Sequence, residues 1–89
     1  MKKKVILKPR KRLVESVGLI DTYAYSYPRC GIQTIQLLAA SKKCKIEISK
    51  ISPMKAIFYI YGQEEEINQI FTTLAITDFS DKFKWKFRI

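Results

Sequence analysis

The amino-acid sequence predicts an α+β fold with the element order β-α-β-β-α-β, on three observations. Residues 45–50 (KIEISK) and 82–89 (KFKWKFRI) alternate apolar and polar with a period of two, as half-buried strands do. Ala56–Tyr61 (AIFYIY) is continuously apolar, the pattern of a strand covered on both faces. Around Ile32–Ala39 and Ile67–Leu74, apolar residues recur three and four apart, the spacing of amphipathic helices.

Taken in order, Lys2–Arg12 reads as a basic N-terminal arm; Val5-Ile6-Leu7 could form a short strand, but Pro9 interrupts any longer one. Leu13–Asp21 (LVESVGLID) reads as the first strand, apolar on both faces, and Tyr23, Tyr25 and Tyr27 alternate in the connection that follows and could prolong it. Ile32, Ile35, Leu38 and Ala39 define a first helix over about Gly31–Lys43. A tight turn at Ser52-Pro53-Met54 joins the second strand to the third. Ile67, Ile70, Phe71 and Leu74 define a second helix, with Glu64, Glu65 and Glu66 favourably placed at its positive N-terminal end. The last strand puts Phe83, Trp85, Phe87 and Ile89 on one face.

Strands one and three are apolar on both sides while two and four alternate, which suits a four-stranded antiparallel sheet of order 4-1-3-2 with two helices on one face, the ferredoxin-like arrangement. The domain organisation expected is an arm over 1–12 and one ferredoxin-like domain over 13–89. Lysines on the alternating last strand would discourage edge-to-edge pairing.

The 89 residues suffice for one core, with 47% hydrophobic and 28% charged content of ordinary globular kind. The apolar runs fall short of the roughly 20 residues that span a bilayer, and no apolar signal core follows the N-terminal lysines, so a cytoplasmic protein without a membrane partner is expected. There is no histidine, the commonest general base, and two cysteines cannot close a structural zinc site. Cys30 and Cys44 read as reduced, partly buried residues. Residues 2–12 hold seven positive charges and no acid, and the last eight residues hold four more, of seventeen in all. Basic ends on a nearly neutral body suggest an anionic partner or a solubilising device.

Two helices cover one face of a sheet, yet the third strand places large residues on both: Ala56, Phe58 and Ile60 one way, Ile57, Tyr59 and Tyr61 the other. An exposed apolar face marks a partner. Lys50-Ile51, ten residues, Gly62 and an amphipathic helix resemble the strand–helix half of bacterial microcompartment shell proteins. Val17-Gly18-Leu19-Ile20-Asp21-Thr22 is similar to that family's opening Gly-Leu-Ile-Glu-Thr strand, and Gln36–Ile46 to its helix ending in Lys-Ala-Ala-Asn-Val. The resemblance spans about residues 14–75 with gaps. It implies a non-enzymatic, self-assembling, hexameric structural protein. By that resemblance Lys42 and Lys50 belong to subunit contacts, and Ser52, Pro53 and Met54 to the loop lining a hexamer's central pore.

Two other readings stand beside it. Lys55–Tyr61 partly resembles the third strand of an RNA-recognition motif, with Tyr59 at an aromatic position and Ile57 where a second aromatic is expected. Nucleic acid would then meet Tyr59 and Tyr61 on the open face, Lys84, Lys86 and Arg88 on the neighbouring strand, and Lys3, Lys4, Arg10, Lys11 and Arg12 of the arm. The alternative is that lysines on an alternating strand are its solvated face. The remaining reading is a small-molecule regulatory or inhibitory module, including one that binds another protein by a sheet edge, the basic ends then matching an acidic partner. Catalysis is not expected, and neither a cofactor nor a metal is: the three glutamates complement a helix dipole, Glu15 and Asp21 have no evident partner, and Cys30 has no histidine to serve as its base.

Overall fold

The computed structural model describes residues 1–88, so the expectation for Ile89 lies outside the described residues. Six strands and three helices follow in the order β1 (Lys2–Pro9), β2 (Arg12–Val17), β3 (Ile20–Ala24), α1 (Pro28–Ser41), β4 (Lys45–Ser52), β5 (Lys55–Tyr61), α2 (Glu64–Ala75), α3 (Phe79–Lys82) and β6 (Phe83–Arg88). The architecture is α+β. Four strands make one antiparallel sheet in the order β4-β5-β1-β6, and β2 and β3 make a separate two-stranded ribbon.

The first strand is therefore Lys2–Pro9 rather than Leu13–Asp21, and residues 2–9 are the sheet's interior rather than an arm. The physical reason is alternation: Val5, Leu7 and Pro9 point to the helix side and are buried, while Lys4, Ile6 and Lys8 point away. Val5 lies opposite Phe58 and Leu7 opposite Ala56 on β5, and on the other side Val5 meets Phe87 and Leu7 meets Trp85 of β6. Pro9, which cannot donate a ladder hydrogen bond, ends the strand. The chain start is also tied down: the Met1 nitrogen donates to the Gly62 carbonyl at 2.8 Å, and the Gly62 N–H donates back to the Met1 carbonyl at 3.0 Å.

Leu13–Asp21 instead turns back on itself. Gly18 has φ 61° at the first central position of a two-residue turn, as a type II′ hairpin requires, and Val17 pairs with Ile20 across it. This local closure divides the expected strand into β2 and β3, and together with β1 it accounts for six strands where four are expected.

The core fills the space between the sheet and its helices. Ile32, Ile35 and Ala39 of α1 and Ile67, Ile70, Phe71 and Leu74 of α2 meet Val5, Leu7, Ala56, Phe58 and Ile60, with Phe79 and Phe83 closing one end. Helix α1 starts three residues earlier than Gly31 because Pro28 is preset for the first helical position. It ends at Ser41, with Lys43 at φ 57° reversing the chain into β4. Gly62 lets β5 approach the α1–β4 connection, since a Cβ there would stand 2.6 Å from the Cys44 Sγ. Phe83 is buried and Trp85 packs against the core, while Phe87 reaches Phe71 edge-on at 4.8 Å.

This placement predicts that Leu7→Ala costs about 2–5 kcal/mol in denaturant unfolding, as for any fully buried leucine, whereas Leu19→Ala at the ribbon tip stays within about 0.5 kcal/mol. An N-terminal arm would give the opposite order.

Candidate interaction surfaces

The face of the sheet away from the helices is built by the pairing register. Lys2, Lys4, Ile6 and Lys8 of β1 stand there with Lys55, Ile57, Tyr59 and Tyr61 of β5, with Lys84, Lys86 and Arg88 of β6, and with Lys45, Glu47 and Lys50 of β4. Nine of the chain's seventeen cations and one of its eight acids lie on this face, so it carries +8 of the net +9. The Lys2 ammonium sits 4.6 Å from the Tyr59 ring centroid and 5.6 Å from that of Tyr61, and the Tyr61 hydroxyl donates to Glu47 at 3.1 Å. Ile6, Lys8, Lys55, Lys84, Lys86 and Arg88 border a shallow pocket of about 200 Å³.

Not every basic residue singled out in the sequence reaches this face. Lys4, Lys84, Lys86 and Arg88 do, with Tyr59 and Tyr61. Lys3 points to the helix side, its ammonium 4.9 Å from the Phe87 ring. Arg10, Lys11 and Arg12 sit at the base of the ribbon. Arg10 donates from Nε to the Phe83 carbonyl at 3.3 Å, Lys11 lies 3.9 Å over the Tyr23 ring, and Arg12 donates to the Ser26 hydroxyl at 3.2 Å. Lys2, Lys8, Lys45, Lys50 and Lys55 are face members that the arm-and-edge reading does not single out. The alternation of Lys4, Ile6 and Lys8 with Val5, Leu7 and Pro9 is the signal that would have found β1's share.

The β2–β3 ribbon is a second exposed surface. Leu13 pairs with Tyr23 on one face and Val17 with Ile20 on the other, with a bulge between Leu13 and Glu15 that leaves Val14 unpaired. All six of these apolar side chains around the ribbon, Leu19 at the tip included, are exposed, Leu19 at 103%. At its root lies a groove of about 630 Å³ between α1, α2 and α3, with apolar walls from Tyr25, Tyr27, Leu37, Leu38, Leu74 and Phe79.

The residues assigned by resemblance to assembly do not come together. Lys42 caps the C-terminus of α1, and its ammonium donates to the Gln69 side-chain oxygen at 2.9 Å. Ser52, Pro53 and Met54 lie at the opposite end of β4, about 25 Å away along an eight-residue strand. The Ser52 hydroxyl donates to the Lys55 carbonyl at 3.0 Å, and Met54 is exposed. Lys50 stands on the edge strand β4. Val17–Thr22, likened to the shell family's opening strand, is the ribbon tip rather than a strand of the main sheet. No protein-family model, curated protein or solved structure matches the chain.

The cysteines differ from the expectation of two partly buried residues. Cys30, in the first turn of α1, is exposed, and Cys44 is 7% exposed beyond its far end, about 20 Å away along the helix and too far for a disulfide. Burial pushes the Cys44 thiol up, and the nearby Glu66 carboxylate adds to it. Among the described residues no group of three or more His, Cys, Asp or Glu side chains is placed to hold a metal, and no helix is long and apolar enough to cross a membrane.

A thiol reagent at pH 8 is expected to modify Cys30 rapidly and Cys44 slowly, the two rates converging in denaturant. The raised Cys44 pKa means that the folded state holds this proton more tightly than the unfolded chain. The resulting stability is complete below the unfolded thiol's pKa, near 8.5, and is lost as pH rises through the folded value. Equal rates under native conditions would contradict the placement of Cys44.

Proposed function

We propose that the chain is a non-enzymatic, self-assembling structural protein, of the kind the shell-protein resemblance implies, in which the β2–β3 ribbon of one copy docks on the next. The observation that carries this reading is the ribbon itself. Leu13, Val14, Val17, Leu19, Ile20 and Tyr23 are exposed on two strands whose extensive contacts are with each other. An isolated two-stranded ribbon is marginal in water and needs a covering surface.

The dimensions support a second copy as that cover. The molecule exposes 6223 Å², whereas a compact monomer of 10.4 kDa exposes about 5,400 Å². The surplus of about 800 Å² equals one partner's share of a standard interface. The radius of gyration is 14.3 Å against about 12 Å for a compact chain of this length, and the long axis is 50 Å. The apolar groove walled by Leu37, Leu38, Leu74 and Phe79 is a receptor of matching chemistry. Ribbon and groove are different patches, so the contact is heterologous and closes into a ring or runs on as a filament. A ring of six is the closed form that the resemblance implies, and Lys42, Lys50 and Ser52–Met54 are its proposed contact and pore positions.

We also propose that the fold is ferredoxin-like. With the ribbon set aside, β1-α1-β4-β5-α2-β6 in the order β6-β1-β5-β4 has the predicted 4-1-3-2 connectivity, and the ribbon is an insertion between the first strand and the first helix.

Light scattering across a concentration series is expected to give a ring-sized mass or larger assemblies. Val17→Asp combined with Leu19→Asp is expected to give a monomer with an unchanged circular-dichroism spectrum. A wild-type chain that stays monomeric at every concentration and salt level would overturn the proposal.

A further inference from the structure

We infer that the open face of the sheet binds single-stranded nucleic acid, with phosphates on its lysines and bases against Tyr59 and Tyr61. The inference stands on this face alone and does not depend on the ribbon or on self-assembly.

With +8 of the net +9 on one face, the rest of the molecule is almost neutral, so the basic character of the chain is a property of one surface. The register makes this costly. Lys8 stands directly opposite Lys84, and Lys4 directly opposite Arg88, and like charges facing each other across strands destabilise a sheet. Among the described residues the one ion pair is Lys82 with Asp78 at 3.7 Å, which lies off this face. A polyanion laid across the sheet relieves the repulsion at every cation together.

The tyrosines select the class of polyanion. Lys2, Lys4, Lys45 and Glu47 surround the two tyrosines: Tyr61 lies between Lys2 and Lys45, and Tyr59 between Lys4 and Glu47. Ile6 and Ile57 pair beside them and continue the apolar strip along the middle of the sheet. Rings and aliphatic side chains flanked by rows of ammonium groups suit a ligand with both π faces and phosphates. A single strand offers its bases to such a face, whereas a duplex keeps them stacked inside. The lone acid, Glu47, is engaged by the Tyr61 hydroxyl.

The test is fluorescence anisotropy with labelled oligo(dT) and oligo(rU) of about 20 nucleotides, longer than the roughly 4–16-nucleotide sites of single-strand-binding folds. Duplex DNA, heparin and vesicles of anionic phospholipid serve as competitors. Binding is expected to weaken with salt, the log–log slope being about −0.7 per neutralised phosphate. Lys84→Gln with Lys86→Gln, both exposed, should make that slope shallower by about 0.7 for each phosphate no longer neutralised. Tyr59→Ala should weaken oligonucleotide binding about 5- to 100-fold with the slope unchanged, and leave heparin binding as it was. Val17→Asp with Leu19→Asp should bind like the wild type, which separates this inference from the assembly reading. Heparin, duplex or vesicles binding more tightly than the single strand, or Tyr59→Ala without effect, would overturn it.

Discussion

The pairing of β1 with β5 is the constraint from which the rest of this structure follows. Val5 and Leu7 are fully buried, opposite Phe58 and Ala56, and both helices rest on that joined surface. Once Lys2–Pro9 occupies the sheet's interior, its alternate residues Lys2, Lys4 and Lys8 must stand on the other face, beside Tyr59 and Tyr61. The same pairing leaves Leu13–Ala24 no place beside β1, since β1 has β5 on one side and β6 on the other. Those residues then satisfy their backbone groups by pairing with each other across Gly18. The basic face and the apolar ribbon are thus two consequences of one strand's position.

The two surfaces differ in physical character and so in what would cover them. The ribbon's exposure is apolar, and association through it would strengthen with hydrophobic burial and respond little to moderate salt. The open face is dominated by like charges, and association through it would weaken with salt. The ribbon and the open face have no residue in common, so docking through the ribbon does not itself occupy the face; Lys50, a proposed shell contact on β4, stands on the face and is the residue both proposals use.

Much of the sheet and both long helices were legible in the sequence because their patterns are local and periodic. The alternation of KIEISK and KFKWKFRI, the apolar run AIFYIY, and the spacing of Ile67, Ile70, Phe71 and Leu74 all describe what those segments do in the fold. What was not legible was the competition between two candidates for the first strand. Leu13–Asp21 has more apolar residues, but Lys2–Pro9 has the alternation that matches one covered face and one open one, and lysines disguised it as an arm. Pro9 does stop the strand, as its missing N–H requires, but the strand it ends is a full interior one rather than a fragment of an arm. Gly18 read as part of a strand, although a glycine followed by one residue and a second apolar run is also a hairpin signal. Of the candidate site residues, Tyr59, Tyr61, Lys84 and Lys86 followed from period two alone. Arg10, Lys11 and Arg12 did not, because their positions depend on where the ribbon leaves the sheet.

Amide hydrogen exchange followed as a function of protein concentration tests the central claim most directly, because it reports on β1 and the ribbon in one sample. The account predicts that amides of Lys4–Lys8 and Ala56–Ile60 exchange slowly at all concentrations, while those of Val14–Thr22 exchange quickly in dilute solution and become protected as copies associate. Rapid exchange of Lys4–Lys8, or a ribbon as protected in dilute solution as in concentrated, would contradict it.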